Sequence, residues 1–291
     1  MVNIQIVTDS SAHFTTAHVA HQPGITIVPN RITIGSKVYR EGVDLSADEL
    51  MRVSTQAAIA PKIDSPTEAD FVDVYRQLMN ECDAIISIHP SRKIYPSWER
   101  ANAAAFQIAG ARQIVVIDSQ TISAAQAMLV RIALRAAQEM VSLDDAVRRV
   151  RGAIERIYSV FYVDSLTSVL QNDILSQSHV FLGAMLGVKP FLTIEDGSLR
   201  PIEKVRTRPQ AIERLVEFVV EFTDIEEVVI LQSKSQPGDQ TRQLQDRLAA
   251  EFPNRHFPYA PYGFALTALI GTEATGVALL ESETEYLNDD F

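Results

Sequence analysis

Short apolar runs, each stopping at a polar loop and giving way to a stretch with helical spacing, dominate the first half of this chain. The runs fall at 3–8, 25–29, 84–89 and 113–118, and the helical stretches at 46–54, 66–80, 96–110 and 121–140. Parallel strands need a long crossover, usually a helix, and a sheet covered on both faces reads as near-continuous Val/Ile runs. The pattern therefore predicts an α/β unit built on a parallel, Rossmann-like sheet.

Two helix starts can be read in detail. Ser65-Pro66-Thr67-Glu68 predicts a serine N-cap, proline at the first helical position and a glutamate closing the capping box, with Phe71, Val74, Tyr75 and Leu78 on the core face. The next helix is expected after Tyr95-Pro96, with Ala101, Ala104, Ala105 and Ile108 inward and Gly110 at its end.

Past residue 158 the rhythm changes. A strand at 160–164, short helices to about 186, and a hairpin of 191–194 with 199–203 turning on Glu195-Asp196-Gly197 are expected. A helix at 209–222, a strand at 227–232, a helix at 239–252 and a strand at 277–281 follow. This is an α+β unit with a mixed or antiparallel sheet. At 291 residues the chain is long enough for two such domains, expected at 1–158 and 159–291.

Composition removes several function classes. A formal charge of −11 disfavours nucleic acid, whose nonspecific affinity comes from clustered Lys and Arg. Cys82 is the single cysteine, so neither a disulfide framework nor a cysteine metal cage is available. His13, His18 and His21 lie close together without a nearby acidic cluster in sequence, and no metal site or cofactor is predicted. The start MVNIQIVTDSS enters a strand directly, and the longest apolar run, 263–271, is shorter than the ~18–20 residues of a span. A cytoplasmic protein without a membrane span is expected.

In an open parallel sheet, ligands gather at the carboxyl ends of the strands. Here those loops are Thr8-Asp9-Ser10-Ser11, Ile63-Asp64-Ser65, Ser91-Arg92-Lys93 and Asp118-Ser119. No glycine-rich phosphate loop, GxSxG elbow or HExxH is present. Asp9 with Ser10 reads more naturally as a backbone-capping turn than as a nucleophile. No catalytic residue is assigned. A hydrolase using Asp9, Asp64 and Glu273 is the weaker alternative, because clustered carboxylates raise one another's pKa.

Several of these segments resemble the DegV family. IVTDSSAHF looks like its opening signature, IVPNRITIGSKVYREGVDLS resembles its second motif, and Ile117-Asp118-Ser119, the stretch LGAMLGVKPFLTIEDGSLRPIEKVRTR at 182–208, and Ile270-Gly271-Thr272 with Gly276 follow in family order. The resemblance covers nearly the whole chain. It implies a protein that holds one long-chain fatty acid between two domains, a non-catalytic carrier for fatty acid metabolism that presents the lipid to the ATP-binding subunit of a fatty acid kinase.

The departures cluster where that family grips the carboxylate. Ile63-Asp64-Ser65-Pro66-Thr67 stands where the family usually has Thr-Ser-Gln-Pro-Ser, and Ile94-Tyr95-Pro96-Ser97 where it has Leu-Ser-Gly-Thr. Gln171-Asn172-Asp173-Ile174 replaces a Gly-Gly-Arg stretch, and Glu273 the usual histidine after Gly-Thr. Burying ~15 methylenes at ~0.8 kcal/mol each outweighs a charged hydrogen bond of ~1.5–3 kcal/mol, so lipid binding survives loss of head-group contacts. A glutamate beside a carboxylate favours a neutral or cationic head. The head-group region is accordingly placed at Asp9, Ser10, Ile63, Asp64, Ser65, Ser91, Tyr95, Ser97, Thr272 and Glu273, with a fatty acid or neutral lipid as ligand. Ser65 and Ser91 read equally well as capping and turn residues, and Lys204 and Arg206 as a solvated hairpin edge. The competing reading is a degenerate member whose closed or altered pocket leaves a protein-interaction module.

Overall fold

The computed structural model describes residues 2–16, 20–45, 49–50, 52–53, 61–108, 113–164 and 189–283. The first half lays down β1 (Ile4–Asp9), β2 (Ile25–Val28), β3 (Arg31–Ile34), β4 (Lys37–Arg40), β5 (Lys62–Asp64), α1 (Glu68–Leu78), β6 (Ala84–His89), α2 (Ser97–Gln107), β7 (Ile114–Asp118), α3 (Ala124–Gln138) and α4 (Leu143–Ile154). The second continues with β8 (Ile157–Val163), β9 (Lys189–Glu195), β10 (Ser198–Val205), α5 (Arg208–Val220), β11 (Ile225–Gln232), α6 (Asp239–Glu251), β12 (Tyr259–Pro261), α7 (Gly263–Ile270) and β13 (Ala274–Glu281).

The parallel sheet is present, in the order β2-β1-β6-β7, with every pairing parallel. All six residues of β6 are buried, as its uninterrupted apolar run requires. On one face, Phe71 and Tyr75 of α1 and Ala101, Ala104 and Ala105 of α2 pack on Val7, Val28, Ile85 and Ile114. The small α2 residues let helix and sheet approach closely. The other face receives α3.

α3 decides the architecture. It is buried almost all round, through Ala124, Ala125, Ala127, Met128, Leu129, Val130, Ala133, Leu134 and Ala136, which a helix tolerates only inside a core. It touches β1 and β6 of the first sheet and β8 and β13 of the second. The second sheet runs β10-β9-β8-β13-β11-β12, antiparallel except for the β11–β12 pair. Its strands alternate in register with the pleat. Phe161, Val163, Val229, Leu231, Ala278 and Leu280 join the core around α3. Val160, Tyr162, Val228, Ile230, Val277 and Leu279 face α5 and α6 on the other side.

Several expectations shift. The capping box on α1 belongs to Thr67 and Asp70, not Ser65 and Glu68: the Asp70 N–H donates to Thr67 Oγ1 at 3.3 Å and the Thr67 N–H to Asp70 Oδ2 at 2.7 Å. Thr67 itself is extended, at φ −76° and ψ 162°, so the helix starts two residues later than the proline suggested. Thr67→Ala should cost about 0.5–2 kcal/mol, read as a lower urea midpoint at unchanged slope. The helix expected from 121 starts at Ala124, because Gln120 (φ 53°) and Ser123 (φ 64°) adopt left-handed backbone in the preceding turn. Asp196 (φ 49°) and Gly197 (φ 75°) form the two-residue β9–β10 turn, the primed type that matches strand twist.

The small antiparallel sheet β4-β3-β5, the helices α4 and α7, and β12 have no counterpart among the expected elements. Of the helix expected at 46–54, only 49–50 and 52–53 lie among the described residues, and the short helices expected before 186 fall largely outside them.

Candidate functional site at the carboxyl edge of the parallel sheet

β1, β6 and β7 end side by side on Asp9, His89 and Asp118. Asp9 and His89 are fully buried and joined, Oδ2 to Nδ1, at 2.9 Å. The other carboxylate oxygen accepts the Ser11 N–H at 2.9 Å. Ser87, two residues before His89 and so on the same face, lies 2.7 Å from Nε2. The Tyr75 hydroxyl donates to Ser87 Oγ at 2.7 Å, and burial pushes that phenol up from its ordinary pKa. A neutral imidazole protonated on Nδ1 satisfies every partner, with donors running Tyr75 to Ser87 to His89 to Asp9. The connectivity resembles a hydrolase triad. Ser87, however, is wholly buried beneath α1, with Phe71 edge-on to the His89 ring at 4.9 Å. No substrate reaches that hydroxyl, and the network holds the end of β1 in place.

A second buried cluster adjoins the first. Ser10 Oγ donates to Glu41 Oε2 at 2.6 Å and accepts the Asn30 N–H at 2.8 Å. Asn30 Nδ2 reaches the same Glu41 oxygen at 3.2 Å and Ser11 Oγ at 3.1 Å. The Phe264 N–H, in the first turn of α7, approaches Glu41 Oε1 at 3.4 Å. Glu41 thus serves that helix start, which has no side-chain cap of its own. Burial raises the Glu41 pKa to about 6, against the lowering effect of its donors. His13 packs against Gly263, whose φ of 71° and missing Cβ make room for the ring. Burial lowers the His13 pKa to about 4, and its Nε2 has no partner among the described residues.

The second half closes over this edge mainly through backbone carbonyls. Ser91 Oγ donates to Gly197 O and Lys93 Nζ to Asp196 O, both at 2.6 Å. The Tyr95 hydroxyl donates to Ala265 O at 2.9 Å, and Ser123 Oγ to Tyr262 O at 3.2 Å. The β9–β10 turn and α7 form the lid.

The ten residues placed in the head-group region do not converge on one point. Asp9 and Ser10 belong to the buried networks. Ile63 packs with the cluster of Ile32, Ile34, Leu50 and Phe264, so Ile63 and Tyr95 both meet α7. Asp64 is exposed and pairs with Arg100 at 3.0 Å, while Arg100 also binds the Ser65 carbonyl at 2.6 Å. Ser97 is buried, its hydroxyl without a partner among the described residues. Thr272 and Glu273 are exposed and line a separate cavity of ≈ 200 Å³ with Arg208, Gln232, Lys234 and Thr275. The replaced stretch at 171–174 and His18 lie outside the described residues. Among the described residues no group of His, Cys, Asp or Glu side chains is placed to hold a metal ion, and no helix is long and apolar enough to cross a membrane.

Sequence reasoning missed His89, Asn30 and Glu41. His89 ends a strand that was read correctly, and nothing local marks its partner. Asn30 and Glu41 lie inside the IVPNRITIGSKVYREGVDLS motif, so that signal was available.

A family model described as "Uncharacterised protein, DegV family" matches residues 3–282. This chain belongs to the DegV family. A DegV domain-containing protein of Caldanaerobacter subterraneus subsp. tengcongensis is 29% identical over 281 residues, covering 95% of this chain and 98% of that one. Among solved structures, the fatty acid binding DegV family protein SAG1342 from Streptococcus agalactiae superposes with a TM-score of 0.86 at 25% identity, over 97% of this chain and 100% of that one. The Streptococcus pneumoniae fatty acid kinase B3 protein, loaded with linoleic acid, has a TM-score of 0.80 at 17% identity, over 96% and 100%. Both share the DegV arrangement of a parallel sheet unit joined to a mixed-sheet unit.

Proposed function

We propose that this DegV protein binds a long-chain fatty acid or related lipid between its two units, dividing near residue 158, and carries it to a separate kinase subunit. The reading rests above all on the full-length structural likeness to a protein described as fatty acid binding. The carrier role draws on the fatty acid kinase relative. The position between a polar strand edge and the apolar core around α3 suits a molecule with a polar head and a long tail. The head-group region is proposed among the ten residues from Asp9 to Glu273, which do not share one pocket. Within it the tyrosine hydroxyl is committed to Ala265, and Ile63 offers no hydrogen bond. Glu273 is exposed, so water and salt screen its charge.

The second reading, a protein-interaction module with an altered pocket, is favoured by that Tyr95–Ala265 bond, which occupies a group otherwise free for a ligand. Gentle purification followed by mass spectrometry of the organic extract separates the two. A stoichiometric long-chain lipid is expected. An empty protein that gives no heat with palmitate or hexadecanol would favour the interaction module. Tyr95→Ser should raise palmitate affinity by about tenfold, one added hydrogen bond to a charged group, and unchanged affinity would remove Tyr95 from the site.

A further inference from the structure

Beside Glu41 lies a cavity of ≈ 640 Å³ that shares with the proposed head-group residues only Ser10. Ile25 and Ile27, two apart on the edge strand β2, present one face of the sheet to it. Phe14 and Val43 add apolar wall from the flanking loops, and Glu41 and His13 also line it. Among the described residues no Lys or Arg does.

The charge balance of this cavity is one-sided. Glu41 is 6% exposed, and the two short hydrogen bonds it accepts, from Ser10 and Asn30, both end on Oε2. Among the described residues, Oε1 has only the 3.4 Å approach of the Phe264 N–H. A carboxylate offers about four acceptor positions, so one on Oε1 remains for a ligand. A buried carboxylate without a cation is costly, and a cationic partner relieves that cost. His13 does not supply the charge, because burial keeps it neutral near pH 7.

We propose that this cavity is a binding site for an organic ammonium ligand, its cationic head on Glu41 Oε1 and its apolar body against Phe14, Ile25, Ile27 and Val43. A fatty acid carboxylate is the wrong charge for it, and of the proposed head-group residues Ser10 alone lines it. The titratable groups around Glu41 are Asp9, whose charge adds to the effect of burial on Glu41, Tyr95, whose pKa is raised by burial and further by Glu41, and the two histidines of the cavity, His13 and His21. With the carboxyl titrating at about 6, ammonium affinity should fall about tenfold between pH ~8 and pH ~5.

Calorimetric titration of the full chain at pH ~8 with n-hexylammonium, hexanol and hexanoate tests this, chosen to share one apolar body and to differ in head charge. Hexylammonium should bind at least tenfold tighter than hexanol, and hexanoate should give no heat. Glu41→Gln should reduce hexylammonium to the affinity of hexanol. Phe14→Ala should weaken hexylammonium and hexanol by a similar factor without altering their ratio. If Glu41→Gln does not fold, the tenfold loss toward pH ~5 in the unmodified chain carries the test. Absence of hexylammonium binding, equal binding of hexanoate, or affinity independent of both pH and Glu41 overturns the proposal. Lipid found by mass spectrometry bears only on the other site.

Discussion

His89→Ala should lower the folding free energy by about 3–5 kcal/mol, the cost of removing one partner from a buried ion pair or its hydrogen-bonded equivalent. The reason lies in what remains. Asp9 is wholly buried, and without the imidazole its carboxylate keeps only the Ser11 N–H at 2.9 Å. Ser87 and Tyr75 then lose the acceptor that orders their hydroxyls, and Phe71 loses an edge-on ring contact at 4.9 Å. Asp9→Asn should cost less, about 1–3 kcal/mol, because the amide oxygen can still accept the Nδ1–H, while the NH2 in place of the other oxygen no longer accepts from the Ser11 N–H. Urea unfolding at neutral pH, with the slope checked for constancy, measures both. A loss below about 1 kcal/mol for His89→Ala would mean that the network is not carrying the buried charge. Lipid binding by a folded Asp9→Asn protein would then tell whether this edge merely supports the site or forms part of it.

Acidification should also destabilise the protein, chiefly through His13. Burial lowers its pKa from 6.5 to about 4. The unfolded chain takes up the proton first, so the stability from His13 is complete above pH 6.5 and is lost as pH falls toward 4. A shift of that size corresponds to about 3 kcal/mol. Glu41 works in the opposite direction. Its folded pKa of about 6 exceeds the ordinary 4.5, so its contribution is complete below 4.5 and is lost as pH rises through 6. That loss is about 2 kcal/mol. Across the shared interval the two partly cancel, and the net loss appears toward pH 4. His13→Asn should flatten the acid limb of a stability–pH profile, whereas Glu41→Gln should steepen the profile between pH 4.5 and 6. Indistinguishable profiles for the three proteins would show that neither group is desolvated to this degree.

Local chemistry was enough for most of the scaffold. β6 occupies 84–89 as its apolar run indicates, because six consecutive buried positions admit only a central strand covered on both faces. The Asp196-Gly197 turn follows from two left-handed residues in sequence. The amphipathic signal for α4 is also present, with Ser142 as cap and Ala146, Val147, Val150 and Ala153 inward, but its many charged residues obscure it. α7 carried no such signal: most of its residues are buried, so no polar face marks its period. The family motifs, and with them the expectation of a lipid between two units, were likewise legible in order along the chain.

What tertiary structure alone decided is which side chains share a site. His89 meets Asp9 across 80 residues of sequence, and Glu41 meets the start of α7 across 223. The ten head-group positions, adjacent in the reasoning from motifs, separate into buried networks, an α7 contact and an exposed cavity wall. Strand and helix periods are fixed by neighbours a few residues apart, so sequence exposes them. A buried carboxylate's partner is chosen by sheet order and by the helix between two sheets, and these exist only once the chain has closed on itself.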